Sequence, residues 1–174
     1  MPTGAGFAVV SASSSLQGTL SSLASILTAE LYAILLALQS FLHHPSSSFV
    51  IFSDSLSAIN TLQSLTPSHP VSTRIQEWLF RLTTRKKYVR FCWVPGHVGV
   101  SGNERADSLA RCAALTPGNS QHPIPATDCS PTLATFFRDL WQSSWDQQTE
   151  NKLHTIKPTV LPWPVSTHRN RRWE

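Results

Sequence analysis

The sequence predicts an α/β domain, a mixed sheet flanked by helices, followed by a helical tail. Two stretches carry the prediction. The residues from Gly4 to about Leu20 read as a hairpin of two strands. Further on, the apolar runs Phe49–Phe52 and Tyr88–Val94 are separated by helical periodicity, the pattern of a right-handed parallel crossover. About four strands are therefore expected.

Gly4–Val10 is short, apolar and interrupted by glycine, and a Ser-rich stretch containing Gly18 follows it. From Thr28 to about Leu42, the positions Leu31, Ile34, Leu35, Leu38, Phe41 and Leu42 recur at helical spacing. Thr28 is the expected N-cap, and Pro45 lies past the end. Phe49, Val50, Ile51 and Phe52 form an unbroken apolar run stopping at Ser53 and Asp54, as expected of a strand buried on both faces. Leu56, Ile59, Leu62 and Leu65 mark a short helix that Pro67 and Pro70 end, and Val71, Ile75, Trp78, Leu79 and Leu82 mark another. Beyond the strand at Tyr88–Val94, the Gly-rich loop from Gly96 to Gly102 leads into a helix from Asn103 to about Leu115. Ser101 and Glu104 read there as a capping box, and Ala106, Leu109, Ala110, Ala113 and Ala114 as the buried stripe.

Residues 1–115 thus read as one domain and 116–131, rich in Pro, Ser, Thr and Asn, as a linker. Residues 132–174 read as an amphipathic helix carrying Leu133, Phe136, Phe137, Leu140, Trp141 and Trp145, then an irregular basic tail. A chain of 174 residues with 41% hydrophobic content suits one core plus such an appendage. No apolar run approaches the length of about 18 residues that a membrane span needs, and the start lacks the pattern of a secretory signal. An intracellular protein, cytoplasmic or nuclear, is expected. The three cysteines, Cys92, Cys112 and Cys129, have no ligand-like spacing and read as free thiols. The net charge of +4 leans towards an anionic partner, with most basic residues gathered between Arg81 and Arg90 and between Lys152 and Arg172. A solvated surface would account for such clusters equally well.

Three carboxylates stand out. Asp54 follows a strand in a crossover sheet, where ligands gather at the carboxyl ends of strands, although it would serve equally as a helix N-cap. Glu30 suits the dipole at the start of its helix, yet Glu30, Ile34, Ala37 and Phe41 share one largely apolar face. Asp107 borders the buried stripe of the last core helix, whereas Glu104 is accounted for by the capping box. Carboxylates on three separate elements make a hard-oxygen site suited to Mg²⁺ or Mn²⁺. His97, in the Gly-rich loop, would on its own be an exposed loop histidine.

The loop and helix WVPGHVGVSGNERADSLA, from Trp93 to Ala110, closely resembles the last motif of type 1 ribonuclease H. The resemblance extends to Thr28, Ala29, Glu30 and Leu31, to Phe52, Ser53, Asp54 and Ser55, and to the order of elements in the ribonuclease H domains of non-LTR retrotransposon polyproteins. It implies a ribonuclease H-like fold and an endonuclease hydrolysing the RNA strand of RNA:DNA hybrids with Mg²⁺, Mn²⁺ being an alternative. It also implies a possible reverse transcriptase domain as partner, and no membrane. By motif, Glu30 and Asp54 would hold the leaving-group metal and Asp107 the water-activating one. Glu30 would also sense a ribose 2′-hydroxyl, and His97 would shuttle protons or help product leave.

The sequence departs from the family's pattern at its start. The resemblance places GAGFAVV on the family's second strand, so the first, central strand and the Asp that ends it are expected to be missing. That would leave the expected activity impaired. A non-catalytic module that binds nucleic acid or docks on a reverse transcriptase, or a relic fragment, are the alternatives.

Overall fold

Gly4–Val10 (β1) and Ser15–Ser21 (β2) pair antiparallel, with Gly6 opposite Thr19 and Phe7 opposite Gly18. This is the expected hairpin. The computed structural model describes residues 4–64, 66, 68–116 and 122–163, so Leu65, Pro67 and the end of the basic tail lie outside the described residues. The chain divides into two compact units, 1–129 and 130–174.

Ile26–Phe41 (α1) supplies most of the first unit's core, burying Leu31, Ile34, Leu35 and Leu38. Its N-cap is Ser25, whose hydroxyl accepts from the Thr28 N–H, so Thr28 is not the cap. Thr28 is instead fully buried and joins three segments. Its Oγ1 lies 3.0 Å from His69 Nε2 and donates to Asp128 Oδ2 at 2.6 Å, while the Ser25 N–H donates to the same Asp128 oxygen at 2.9 Å. His69 Nδ1 accepts from the Val71 N–H, capping the next helix, which assigns the ring proton to Nε2. Hydrogen bonds from Thr28 and Ser25 hold the Asp128 carboxyl below its usual range against the opposing effect of burial, while burial lowers His69.

Ser48–Ser53 (β3) and Tyr88–Trp93 (β4) pair parallel, Ser48 with Tyr88 through Ser53 with Trp93. Leu56–Gln63 (α2) and Pro70–Thr84 (α3) make the crossover, with Pro70 at the start of α3, where its missing N–H costs nothing. The fold is thus mixed α/β, with four strands in two pairs among the described residues and flanking helices. One expectation fails. β3 is not buried on both faces: Ile51 and Ser53 are buried, but Val50 is 50% exposed and Phe52 62%. The cause is coverage. Phe49 stacks on Phe41 of α1, whereas Ser101–Leu115 (α4) packs on β1 and β2 and leaves the opposite face of β3 open.

Gly6 fixes the approach of α4 to β1, because a Cβ there would overlap the Ala110 carbonyl. The helix begins two residues before the expected Asn103. Its N-cap is Val100, with no side-chain cap bond, so Ser101 does not form the anticipated box. Ala126–Asp146 (α5) starts inside the segment read as a linker and contains Pro131. In the second unit, the Trp145 indole N–H donates to the Lys157 carbonyl, just beyond the short helix Lys152–Ile156 (α6), and Lys157 Nζ lies over the Trp163 ring. These are packing roles for two of the tail's tryptophans. No helix among the described residues is long and apolar enough to cross a membrane, and all three cysteines are free.

Replacing Thr28 by Val should cost about 1–3 kcal/mol, because the buried hydroxyl would leave both His69 and Asp128 short of a partner. The pH dependence has a definite sign. Both groups have lowered pKa values in the folded state, so their contribution is present above the ordinary values of 6.5 and 3.8 and is lost as pH falls through the lowered ones. Chemical denaturation of both proteins across that range should therefore show the Thr28→Val penalty shrinking in acid. A penalty independent of pH would contradict this network.

Candidate active site

A cleft of about 690 Å³ lies between β1 and β3. Its lining includes Glu30, Ala33, Ile34 and Ala37 from α1, and Asn103, Ala106, Asp107 and Ala110 from α4. Asp54, just past the end of β3, joins them. Glu30, Asp54 and Asp107 are its charged residues: burial first, then Asp54 and Asp107, push the Glu30 carboxyl up to about 7. That corresponds to about 3 kcal/mol against the ionised form of Glu30. Asp107 is raised by its own burial, by Asp54 and by Glu104, against lowering by His97 and Arg111.

The local sequence sets each position. Asp54 is not a helix cap. Ser55 caps α2 with its hydroxyl on the Ala58 N–H, so the Asp54 side chain is free of that duty. It instead accepts from Asn103 Nδ2 at 3.0 Å, and its carbonyl accepts from the Trp93 indole at 3.1 Å. The Gly-rich loop comes close enough that a Cβ on Gly96 would sit 2.8 Å from Asp54 Oδ2. Glu30 stands on the fifth residue of α1, past the turn where the helix dipole would account for it.

His97 adopts a left-handed backbone, φ 57°, and Gly99 follows at φ 83°, so the loop reverses direction sharply. His97 Nδ1 lies 3.6 Å from Asp107 Oδ2, with the histidine side chain 75% exposed. Asp107 Oδ2 is otherwise buried with no hydrogen-bond partner. One potential ligand atom from each of His97, Glu104 and Asp107 lies within 4.8 Å of the others. Glu104 therefore belongs to the cluster, contrary to the expectation that capping accounts for it. Its Oε1 accepts from the Gly99 N–H at 3.4 Å and faces the loop. The signal for it was its spacing: residues three apart, Glu104 and Asp107, share a helix face. Asn103 was also overlooked, because nothing in its local sequence points across to Asp54.

A hairpin, a parallel crossover and carboxylates lining one cleft define an α/β protein with an acidic site suited to a divalent cation. The chain matches the RNase H family over residues 1–115 and belongs to that family. RNase H domains act on RNA in RNA:DNA hybrids and generally use Mg²⁺. The donor set fits such an ion: the oxygens are hard carboxylate ligands, and the unpartnered Asp107 Oδ2 is short of a positive group.

Asn103→Ala should weaken Mn²⁺ binding, followed by paramagnetic broadening, by about tenfold, because a second contact orients the Asp54 carboxylate. Gly96→Ala should have a similar effect by displacing Asp54. Unchanged Mn²⁺ affinity in both variants would show that neither residue sets the carboxylate.

Proposed function

We propose that this chain is a ribonuclease H domain of a non-LTR retrotransposon polyprotein, of type 1, that binds RNA:DNA hybrids and, as these 174 residues stand, hydrolyses them poorly. The observation that carries the reading is the meeting of Glu30, Asp54 and Asp107, from α1, the end of β3 and α4, at one cleft in a chain of the RNase H family. Mg²⁺, with Mn²⁺ as a substitute, would supply charge to activate water and to stabilise the departing 3′ oxygen. Glu30 and Asp54 would hold the ion on the leaving-group side, and Asp107 the one on the water side. Glu30 also orients towards a ribose 2′-hydroxyl, the group that separates RNA from DNA. His97, exposed on a sharply turned loop beside Asp107, is placed to accept or release a proton as product leaves. Three carboxylates are one fewer than the family's motif set, which is the reason for weak turnover.

A binding role without turnover has a specific observation in its favour. Arg81, Arg85, Lys86 and Arg90, at the end of α3 and on β4, are exposed, a basic surface suited to phosphates. A reverse transcriptase domain is the proposed neighbour in the parent polyprotein, and residues 132–174 the appendage.

The purified chain, mixed with a labelled RNA:DNA hybrid, should bind it with affinity that falls as salt rises. In Mg²⁺ it should cut the RNA strand slowly or not at all, and Asp107→Asn should abolish any cutting while hybrid binding persists. Failure to bind the hybrid would overturn the substrate assignment. Rapid cleavage lost in Asp107→Asn would overturn the weak turnover, and cleavage indifferent to that change would overturn the site.

A further inference from the structure

Residues 122–128 lie beyond the stretch matched to the family, residues 1–115, yet they belong to the first unit and run along α1. Their contacts follow one another in order. The His122 ring meets those of Phe7 and Tyr32, the Tyr32 hydroxyl donates to the Pro123 carbonyl at 2.6 Å, and Ile124 packs on the core. Pro125 is buried. Asp128, in the first turn of α5, then accepts through Oδ2 from the Thr28 hydroxyl and the Ser25 N–H. The segment is a strap that runs from Tyr32 back to Ser25, antiparallel to α1.

Thr28 and Tyr32, four residues apart, share one face of α1, and the strap lies against that face. Glu30 stands about 200° round the helix from Thr28 and lines the cleft. The strap thus backs the helix behind its cleft-facing side. Local capping does not account for Asp128, because the Ser25 hydroxyl already accepts from the Thr28 N–H. One carboxylate oxygen instead ties the N-cap backbone to the side chain of the third helical residue, at the end of a helix that would otherwise fray. Its negative charge also suits the dipole there.

We infer that Asp128 is a positioning residue for Glu30: through Thr28 and Ser25 it fixes the amino end of α1 from behind and so holds the Glu30 carboxylate in the cleft with Asp54 and Asp107. Asp128 acts through the helix and not by its own contact with the cleft. The support of the site therefore extends past residue 115, into a strap that no motif marks. Only the Mn²⁺ arm of the test rests on the reading of Glu30 as a cation ligand given above.

Asp128→Ala and Asp128→Asn are each made in the full chain, with and without Glu30→Gln, and Mn²⁺ binding is followed by paramagnetic broadening. Asp128→Ala should weaken binding about tenfold, and should change nothing further once Glu30 is Gln, because the effect runs through Glu30. Asp128→Asn loses the same charge but keeps an oxygen for Thr28 and Ser25, so it should bind as the unaltered chain does. Equal loss in both backgrounds would reduce Asp128 to a general structural role, and equal loss with Asn and Ala would reduce it to a distant charge. Either result overturns the inference. Without metal, amide exchange at Ala29, Glu30 and Leu31 should quicken about tenfold in Asp128→Ala relative to the second half of α1. Exchange that is unchanged, or faster everywhere alike, also overturns it. A chain that binds no Mn²⁺ at all sinks the cation reading of the site and leaves the exchange map to decide the role of Asp128. If Asp128→Ala does not fold, Tyr32→Phe, which loosens the other end of the strap, should give the same pattern in both arms, and its absence there is contrary evidence.

Discussion

Glu30, Asp54 and Asp107 reach one cleft from a helix, the end of a strand and a second helix; Asp54 and Asp107 add to burial in making Glu30 harder to ionise, and Asp54 does the same to Asp107. Like charges in a partly buried place are unfavourable unless a cation stands among them. The rest of the first unit is arranged so that this repulsion cannot be relieved by turning away. Asn103 ties Asp54 down, Gly96 leaves the Asp54 carboxylate the space that a Cβ would fill, and the apolar residues of α1 flank Glu30.

The frame that fixes the cluster is assembled from close contacts. Gly6 lets α4 lie against β1, which brings Asp107 to the cleft, while Phe41 on Phe49 sets β3 along α1 and so places Asp54. Thr28, two residues before Glu30, links α1 to the cap of α3 and to Asp128. The start of α1 is consequently held by two other segments. The same frame leaves β1 and β3 on either side of the cleft.

Much of this was legible in the residues. Apolar periodicity located the four helices of residues 26–115, and apolar runs and glycine punctuation the four strands described, since burial dominates those choices. Glu30, Asp54 and Asp107 could be singled out because their charge conflicts with the apolar company they keep. Local signals misled where a non-local contact decides. Thr28 looked like a cap because Thr caps helices, but Ser25 does so and Thr28 is claimed by His69 and Asp128, 41 and 100 residues away. The Ser101 and Glu104 pair matched a capping box, yet Glu104 turns to the Gly99 N–H and the His97 loop. β3 read as doubly buried because its residues are apolar, while its exposure depends on how far α4 reaches. Asn103 could not be foreseen, because its role exists only once α4 is laid beside Asp54.

Carbon-13 NMR titration of the Glu30 side-chain carboxyl, without and then with Mg²⁺, addresses the electrostatic basis of the site most directly. Without divalent cation, Glu30 should titrate at about 7, well above its ordinary value of 4.5. The midpoint should fall when Asp54 is replaced by Asn, and fall on adding Mg²⁺. Titration near 4.5, unmoved by Asp54→Asn and by Mg²⁺, would contradict a cluster of mutually repelling carboxylates held ready for a cation.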